Sequence, residues 1–415
     1  MSMQTSKRRV VVTGMGAITP LGNSVESFWL RLCQGHSGIG RITQFDASRF
    51  QTQIAAEVRN LTLPPFLDEK LRRRLPRFAL FALLAALEAW QDAGLHTASF
   101  DPCLAGVSIG SSHGGEEFAL AGAAALQTQS PISPYIIPGM LSSRAAAQIA
   151  LHFGLHGPTL APNAACATGA QAIGEGAERI RHGDADIMLC GGAEACITPL
   201  TLAGDQATGA LSRHNNAPEE ASRPFDLKRD GFVPGEGAGI LVLEAYEHAC
   251  TRHAPIYAEL KSYACTIDAT HMTRPDPEGT YLALAIRQAL QKANLHPASI
   301  HAIFAHATGT RLGDTAEAMA LLQAFGPTLA HIPVTAIKAS LGHLLGASGA
   351  VQGIAGVQAL QKQCLPPTIT LTEVDPTCAH LELVRHTRAH QHQAVLSCSS
   401  GFGGYNVALI FSRCE

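Results

Sequence analysis

A cysteine among small residues has the setting of a nucleophile. Cys166 lies in Asn-Ala-Ala-Cys-Ala-Thr-Gly, where an extended segment is predicted to turn into a helix. Small neighbours permit a sharp turn that exposes the sulfur, and the N-terminus of a helix stabilises a thiolate. Free cysteines more often pack as small apolar groups, so this context alone leaves a buried structural thiol as the alternative.

Two later segments each carry a histidine beside polar groups that could orient it. His306 begins His-Ala-Thr-Gly-Thr, where a strand is predicted to end, and Asp314 and Glu317 follow. Lys338 begins Lys-Ala-Ser-Leu-Gly-His, and His343 at its end opens a helix rich in Gly and Ala. Considered alone, either histidine is more often an ordinary hydrogen-bonded residue, and the lysine and glutamate are more often solvated charges.

Strand-like and helix-like segments alternate along the chain and must position these groups. Arg77–Ala93 predicts a long apolar helix, and Ser24 is the predicted N-cap of a helix over 24–34. This alternation is typical of an α/β fold with a largely parallel sheet that is covered on both faces. Strands are predicted at 9–13, 185–190, 239–243, 300–305, 332–335, 394–398 and 406–411.

The order of strand, small-residue turn and Ala/Gly-rich helix occurs once in each half of the chain. The two helical segments are Asn163–Ile180 and Gly342–Leu360. Their small residues predict close backbone contacts, as expected for helices buried between two sheets. We therefore predict two similar halves, residues 1–255 with the cysteine and residues 256–415 with both histidines.

Composition excludes several classes of protein. Of 415 residues, 46% are hydrophobic and 15% are charged, which is too apolar for a disordered chain. A net charge of −3 argues against general nucleic-acid binding. The longest apolar run, 78–87, is about half a membrane span, and no stretch of signal-peptide type is present. Eleven cysteines without a C-x-x-C pair exclude a zinc ribbon and fit thiols in a reducing cytosol.

In combination, these segments resemble the beta-ketoacyl-acyl carrier protein synthases of the thiolase superfamily, the KAS II-like condensing enzymes. The resemblance spans essentially the whole chain, and further matching motifs occur in order along it. These motifs are Val12–Gly22, Gly191–Glu194, Ser222–Asp226, Arg229–Gly237, Asp268–Thr273 and Gly401–Asn406.

The resemblance implies a thiolase-like five-layer α-β-α-β-α fold and a Cys-His-His triad. On this chain the triad is Cys166, His306 and His343, and the supporting groups are Lys338, Glu317 and Asp314. The implied oxyanion hole uses the backbone N–H groups of Cys166 and Ser400. The implied substrate-binding residues are Thr308, Thr310, Phe402, His113, Asp205 and His271.

The activity implied by the resemblance is decarboxylative Claisen condensation. An acyl group moves from its carrier protein to Cys166, and malonyl carrier then loses CO2 to give an enolate that attacks the acyl group. Two neutral imidazoles would stabilise the enolate oxygen. The expected enzyme is a cytoplasmic acyltransferase that needs no metal or redox cofactor, because phosphopantetheine arrives on the acyl carrier protein. Relatives are usually homodimers, and a heterodimer with a chain-length-factor-like subunit is the other possibility.

Three departures from the family pattern bear on substrate choice. Ser400 stands where the fatty-acid enzymes have the first Phe of Phe-Gly-Phe-Gly-Gly, which is expected to remove an aromatic gate. Ala307 replaces the glycine of His-Gly-Thr and would be strained if that position needs a positive φ. His113 and Asp205 stand at positions that are apolar in common fatty-acid relatives.

Polar groups in an acyl tunnel disfavour a saturated chain, because a buried unpaired polar group costs about 1–3 kcal/mol. They would suit an acyl chain with a hydroxyl or aryl head, which favours a specialised synthase of aryl-polyene or other type II polyketide chains. The alternative is an ordinary fatty-acid enzyme whose pocket residues have changed.

A basic run, Arg72-Arg73-Arg74, is a candidate docking patch for an acidic carrier protein, and a solvated helix start is the alternative.

A non-catalytic chain-length factor would lack the nucleophile. A thiolase would need a second reactive cysteine in the C-terminal Gly-rich turn, where position 401 is glycine. A ketoacyl synthase III or chalcone-synthase type would carry Asn in place of His343.

Overall fold

The predicted strands and helices all form, and most extend beyond the predicted bounds. The computed structural model describes residues 8–414. The strands are β1 Val10–Ile18, β2 Gly40–Arg41, β3 Ile54–Ala55, β4 Ala105–Gly110, β5 Thr159–Leu160, β6 Ile187–Glu194, β7 Gly237–Ala245, β8 Ala258–Ile267, β9 Ala302–Phe304, β10 Pro333–Thr335, β11 Cys364–Leu365, β12 Glu382–Leu383, β13 Arg388–Ala389, β14 Ala394–Gly401 and β15 Tyr405–Ser412. The helices are α1 Val25–Cys33, α2 Glu69–Arg72, α3 Arg77–Asp92, α4 Glu116–Gln127, α5 Ile136–Met140, α6 Arg144–Phe153, α7 Thr168–His182, α8 Pro199–Thr208, α9 Tyr246–Thr251, α10 Thr280–Ala293, α11 Arg311–Phe325, α12 Lys338–Leu341 and α13 Ser348–Lys362.

One continuous ladder of eleven strands connects two sheets of the same topology. Its order is β12-β10-β9-β14-β15-β8-β1-β7-β6-β4-β5. Strands β1 and β8 join the two sheets through only two register pairs, Val11 with Glu259 and Val12 with Ala258. The seam between the sheets is therefore short compared with the ladders inside each sheet.

Each sheet repeats the same order and the same directions. The second sheet has one additional edge strand, β12. If the other five strands of each sheet are ranked along the chain, both sheets read 3-2-4-5-1, from β5 to β1 in the first and from β10 to β8 in the second. In both, ranks 1, 5 and 4 pair antiparallel, and ranks 4, 2 and 3 pair parallel. The expectation of two similar halves is confirmed. The expectation of a largely parallel sheet is wrong, because the five ranked strands of each sheet form two antiparallel and two parallel pairs. The predicted boundary at 255/256 lies between α9 and β8 and stays a prediction.

Helices cover both sheets and also fill the space between them. Helices α3 and α6 lie on the outer face of the first sheet, and α10 and α11 lie on that of the second. Helices α7 and α13 pack against each other and against both sheets. These layers form the predicted α-β-α-β-α arrangement.

The central helices come close together because small residues face each other. A Cβ on Gly169 of α7 would lie 2.8 Å from the carbonyl oxygen of Gly346, and a Cβ on Gly349 of α13 would lie 2.7 Å from the backbone nitrogen of Ala170. Both segments are therefore rich in Ala and Gly because larger side chains would prevent this close packing. This close approach brings the N-terminal ends of the two helices to one place.

Local signals in the sequence explain the ends and the burial of the outer helices. Ser24 caps α1 through a capping box with Ser27. Helix α3 is apolar around most of its circumference because the sheet lies under it and α6 packs beside it. Across residues 8–414, no helix combines the length and the apolar character that crossing a membrane would require.

Candidate active site

The cysteine sits in a strained turn at the entrance to α7. Ala165, directly before Cys166, has φ +48°, a conformation that costs an L-residue energy. Thr168 holds the turn, since its Oγ1 donates to the Ala165 oxygen at 2.6 Å and accepts from the Ala164 nitrogen at 2.9 Å. The half-buried sulfur lies just before the first turn of the helix, as the sequence predicts.

The resting sulfur is a thiol rather than the expected thiolate. Burial raises the pKa of Cys166 to about 12, and the carboxylates of Asp205 and Glu194 act in the same direction. The Lys338 ammonium and the Phe402 backbone N–H lower the pKa, but by less. The helix N-terminus is visible in the sequence, whereas the burial and the two carboxylates come from parts of the chain that meet only in the fold.

His306 follows β9 and is held by a carboxylate beneath its backbone. The two oxygens of Glu317 accept the backbone N–H groups of His306 and Ala307, each at 2.7 Å. Asp314 accepts from the nitrogens of Gly309 and Phe225 at 3.0 and 2.8 Å. These carboxylates fix the turn that carries the imidazole.

His343 is fixed in the stretch that precedes α13. Its Nδ1 lies 3.0 Å from the Ser348 hydroxyl, and its backbone nitrogen donates to the Val233 oxygen at 2.7 Å. A hydroxyl that donates to Nδ1 leaves the imidazole proton on Nε2. The His343 and His306 ring centroids are 5.4 Å apart, with the rings at 85° to each other.

Both imidazoles are neutral. Burial lowers the pKa of His306 and of His343 well below the usual 6.5, and the Lys338 ammonium lowers both further. A neutral imidazole with a free N–H donates a hydrogen bond without bringing a charge into the cavity. The geometry therefore offers two neutral donors near one cysteine.

The predicted Lys338–Glu317 ion pair is replaced by a longer-range interaction. Both carboxylate oxygens of Glu317 are occupied by backbone N–H groups, and within residues 8–414 the two side chains form no salt bridge of 4 Å or less. Burial raises the pKa of Glu317 to about 7 and lowers the pKa of Lys338 to about 8. The opposite charges of the two side chains act against both of these shifts, so each group still affects the pKa of the other.

The Phe402 backbone N–H acts on the Cys166 sulfur and lowers its pKa. The Ser400 hydroxyl instead donates to Asn406 Oδ1 at 3.0 Å across the β14–β15 hairpin. The oxyanion-hole role of the Ser400 backbone N–H stays a prediction.

A cavity of about 750 Å³ opens beside the sulfur. Its wall includes all three members of the predicted triad and all six predicted substrate-binding residues. These are Cys166, His306, His343, Thr308, Thr310, Phe402, His113, Asp205 and His271. Phe402 is 38% exposed, so the loop keeps an aromatic ring at the cavity although Ser400 replaces the first Phe.

The three arginines of the predicted docking patch do not line this cavity. Arg72 and Arg73 are exposed at the end of α2, and Arg73 pairs with Glu69 at 2.5 Å. Arg74 lies 4.6 Å from the ring centroid of Tyr135, which occupies its guanidinium in a cation–π contact. Two of the three arginines are thus partly engaged within the protein.

The mouth of the cavity carries cations that the sequence argument did not select. Arg274 and Arg311 both line it, and both are exposed. Each directly follows a segment that was selected, Asp268–Thr273 and His306–Thr310. Both arginines could therefore have been found from their positions in the sequence, since a residue next to a site motif lies near the same cavity. Glu116 was also missed, and its carboxylate accepts the hydroxyls of Thr198 and Thr201.

The comparisons with known proteins agree with this geometry. Models of the beta-ketoacyl synthase N-terminal and C-terminal domains match residues 7–249 and 257–372. A 3-oxoacyl-[acyl-carrier-protein] synthase 2 of Coxiella burnetii is 42% identical, covering 98% of this chain and 99% of that protein. A beta-ketoacyl synthase structure from Burkholderia phymatum has a TM-score of 0.92 at 36% identity, covering 98% of this chain and 100% of that one. A type II polyketide ketosynthase in complex with its acyl-carrier protein has a TM-score of 0.88 at 33% identity, covering 99% and 100%.

The twin sheets and the cavity at the ends of their central helices define a thiolase-like condensing enzyme. Both domain models match in order, and together they cover most of the chain. The chain belongs to the beta-ketoacyl synthase family and is an acyltransferase.

Proposed function

We propose that the protein is a 3-oxoacyl-[acyl-carrier-protein] synthase that condenses an acyl group on Cys166 with the malonyl group of malonyl carrier protein. The observation that carries this proposal is the single cavity in which Cys166 meets His306 and His343. The relatives named 3-oxoacyl-[acyl-carrier-protein] synthase 2 support the same reaction. The chain-length-factor alternative is weaker, because the nucleophile and both histidines are present.

In the first half-reaction the acyl group changes sulfur. The Cys166 sulfur attacks the carrier thioester, the new C–S bond forms, and the bond to pantetheine breaks. The thiol proton leaves with the pantetheine sulfur, so one thiol is consumed and one is released. A thiol with its pKa raised to about 12 makes this coupled transfer more favourable than a free thiolate intermediate.

In the second half-reaction the malonyl carboxylate leaves as CO2. The electron pair of the broken C–C bond moves into the thioester and gives an enolate, whose oxygen accepts hydrogen bonds from His306 and His343. Two neutral donors stabilise this charge directly. The enolate carbon then attacks the acyl carbonyl on Cys166, and the C–S bond breaks to release the 3-oxoacyl carrier. The cysteine sulfur leaves as a thiolate and takes up a proton from water to restore the thiol.

Backbone N–H groups of Cys166 and Phe402 form the proposed oxyanion hole for the acyl carbonyl. The Phe402 N–H supports this role because it acts on the sulfur that becomes acylated and lowers its pKa. Glu317, Asp314 and Lys338 are positioning residues, since they hold the histidine turn and keep the imidazoles neutral.

Thr308, Thr310, His271 and Phe402 accept the phosphopantetheine arm in this proposal, since they line the cavity of the nucleophile. The arm belongs to the substrate, and the reaction uses no metal and no further cofactor. The expected compartment is the cytoplasm.

The carrier protein docks on a basic surface in this proposal, with Arg72 and Arg73 as its candidate residues because their side chains are exposed. An acyl carrier protein in complex with a related ketosynthase supports this class of partner.

A homodimer is the proposed assembly, because exposed apolar residues of α4–α6 lie beside the edge strand β5. A heterodimer with a chain-length-factor-like subunit is the second possibility.

Intact-mass analysis after incubation with acyl carriers tests the function. The wild-type protein should gain the mass of one acyl group, and Cys166→Ala should gain none. Malonyl carrier should still be decarboxylated by Cys166→Ala, because the two histidines remain. Acylation of the Cys166→Ala protein would contradict the assignment of the nucleophile.

A further inference from the structure

The wall of the cavity beside the nucleophile carries charged groups. His113 and Asp205 line the same cavity as Cys166. His113 Nδ1 lies 3.7 Å from Glu194 Oε1, and 35% of the His113 side chain is exposed. Because Asp205 and Cys166 line one cavity, the Asp205 carboxylate borders the space that an acyl chain on the sulfur would enter.

Nearby hydrogen-bond donors are already committed to the other carboxylates. Glu194 accepts from the Ser111 hydroxyl at 2.9 Å and from the Ser112 nitrogen at 2.8 Å. Glu116 Oε2 accepts the hydroxyls of Thr198 and Thr201, each at 2.6 Å. Both neighbouring carboxylates are therefore satisfied within the protein.

Asp205 differs from them because one of its oxygens is left without a donor. Oδ2 is buried and has no hydrogen-bond partner within residues 8–414. A buried acceptor without a donor is unfavourable, and a group on the substrate can remove that cost. The contact would be gained when an acyl chain with a donor fills the cavity and lost when the chain is saturated.

The charges around Asp205 select the kind of donor. The nearby Glu194 carboxylate, together with the Asp205 and Glu116 charges, outweighs burial and raises the pKa of His113 to about 9, which favours the imidazolium form. A cation and three carboxylates then lie close together, which disfavours an acyl chain ending in either a carboxylate or an ammonium group. A neutral hydroxyl fits this environment, since it donates to a carboxylate without adding charge.

We propose that the acyl substrate of this enzyme carries a hydroxyl group on its chain and that Asp205 accepts its hydrogen bond. His113 is a positioning residue here, held by Glu194 and placed beside Asp205. The proposal rests on the proposed condensing function and adds a specificity-determining residue to it.

Matched pairs of acyl carriers test the proposal with the purified full-length protein. The pairs are octanoyl with 8-hydroxyoctanoyl and cinnamoyl with 4-hydroxycinnamoyl, each condensed with malonyl carrier. We expect kcat/KM to favour the hydroxylated member of at least one pair by about tenfold or more. Equal or better turnover of the unsubstituted member in both pairs would overturn the proposal.

Variants at position 205 assign the preference to one side chain. Asp205→Leu should abolish the preference and improve turnover of octanoyl carrier, whereas Asp205→Asn should keep part of it because the amide oxygen still accepts. Glu247→Leu removes an exposed carboxylate that does not line the cavity and should leave the preference unchanged. Persistence of the full preference in Asp205→Leu, with circular dichroism showing a folded protein, would overturn the role of Asp205.

The same samples separate this proposal from the condensing function. Malonyl decarboxylation and acyl loading of Cys166 are measured for each carrier. If no carrier is loaded and none is condensed, the condensing function fails. If octanoyl and 8-hydroxyoctanoyl carriers are condensed equally, and the cinnamoyl pair likewise, the condensing function stands and the hydroxyl proposal fails.

Discussion

At the scale of single residues, the position of each proton decides what the cavity can do. Cys166 is a thiol because the effect of burial on its pKa outweighs that of the Lys338 charge. His306 and His343 are neutral because burial and the Lys338 charge both lower their pKa. The imidazoles therefore carry their N–H donors before the substrate arrives. No proton transfer has to precede decarboxylation.

Loss of one imidazole should slow decarboxylation much more than acyl loading. We expect His306→Ala to lower the rate of CO2 release from malonyl carrier by about 100- to 1000-fold, as for removal of one oxyanion donor. Acylation of Cys166, followed by intact mass, should change only a few-fold. His386→Ala, which alters an exposed histidine outside the cavity, is the matched control. An unchanged rate of CO2 release would refute the donor role.

The protonation of Cys166 gives a pH prediction of definite sign. A raised pKa keeps the thiol protonated at neutral pH, so alkylation by iodoacetamide should be slower than for an unperturbed thiol and should keep rising with pH to at least 10. The measured quantity is the rate of mass gain at position 166 between pH 6 and pH 10. A plateau below pH 9 would show that the thiolate is stabilised instead.

At the scale of elements, the sequence predicted the strands and helices better than the contacts between their ends. The start of β1 and the ends of α1 and α3 follow from apolar runs and from the Ser24 cap, which are local signals, whereas β1 continues to Ile18 beyond its predicted end at 13. The motif order also located the cysteine and both histidines. The Phe402 contact and the absence of a direct Lys338–Glu317 bond depend on how distant loops approach each other, which local patterns do not encode.

Contact between the β14–β15 hairpin and the nucleophile turn requires a glycine. A Cβ on Gly401 would lie 2.5 Å from the Ala164 oxygen and 3.0 Å from the Cys166 nitrogen. We expect Gly401→Ala to displace this turn, to lower acyl loading at least tenfold and to destabilise the protein by about 1–3 kcal/mol. Urea unfolding and intact mass measure the two effects.

Gly204→Ala is the matched control for this substitution. Gly204 lies inside α8, and an added Cβ would meet nothing within 4 Å. Replacement of a helical glycine by alanine should stabilise the protein by about 0.5–1 kcal/mol. If both variants behaved alike, the steric account of Gly401 would be wrong.

Ala307 is predicted to carry strain that a glycine would relieve. Its φ is +20°, at the edge of the region that L-residues avoid. The sequence predicts strain at Ala307 if this position needs a positive φ, and the structure meets that condition. We expect Ala307→Gly to raise the free energy of unfolding by about 0.5–1 kcal/mol, because relief of strain exceeds the added flexibility of the unfolded chain. Ala124→Gly, inside α4 and exposed, should lower it by a similar amount. A decrease for Ala307→Gly would contradict the strain argument.

At the scale of the whole molecule, one surface is too apolar to remain in water. Leu126, Ile137 and Leu151 are 69%, 67% and 73% exposed on α4, α5 and α6, and β5 beside them is the edge of the sheet. An apolar face next to an open strand edge is typical of an interface between copies.

Sedimentation measures whether this surface joins two copies. We expect a mass twice the 43.6 kDa of the chain for the wild-type protein. The double variant Ile137→Asp/Leu151→Asp should sediment as a monomer. Leu30→Asp, which adds a charge on the exposed side of α1, should remain dimeric. A wild-type monomer at micromolar concentration would exclude the homodimer.

The repeated strand order has a consequence for the origin of the cavity. In the repeated strand order, the turn after β5, with Cys166, corresponds to the stretch after β10, with His343. The segment after β4, with His113, likewise corresponds to the segment after β9, with His306. These four residues have different roles but occupy two pairs of equivalent positions. The active site therefore arises because two similar halves of the fold carry different side chains at equivalent positions.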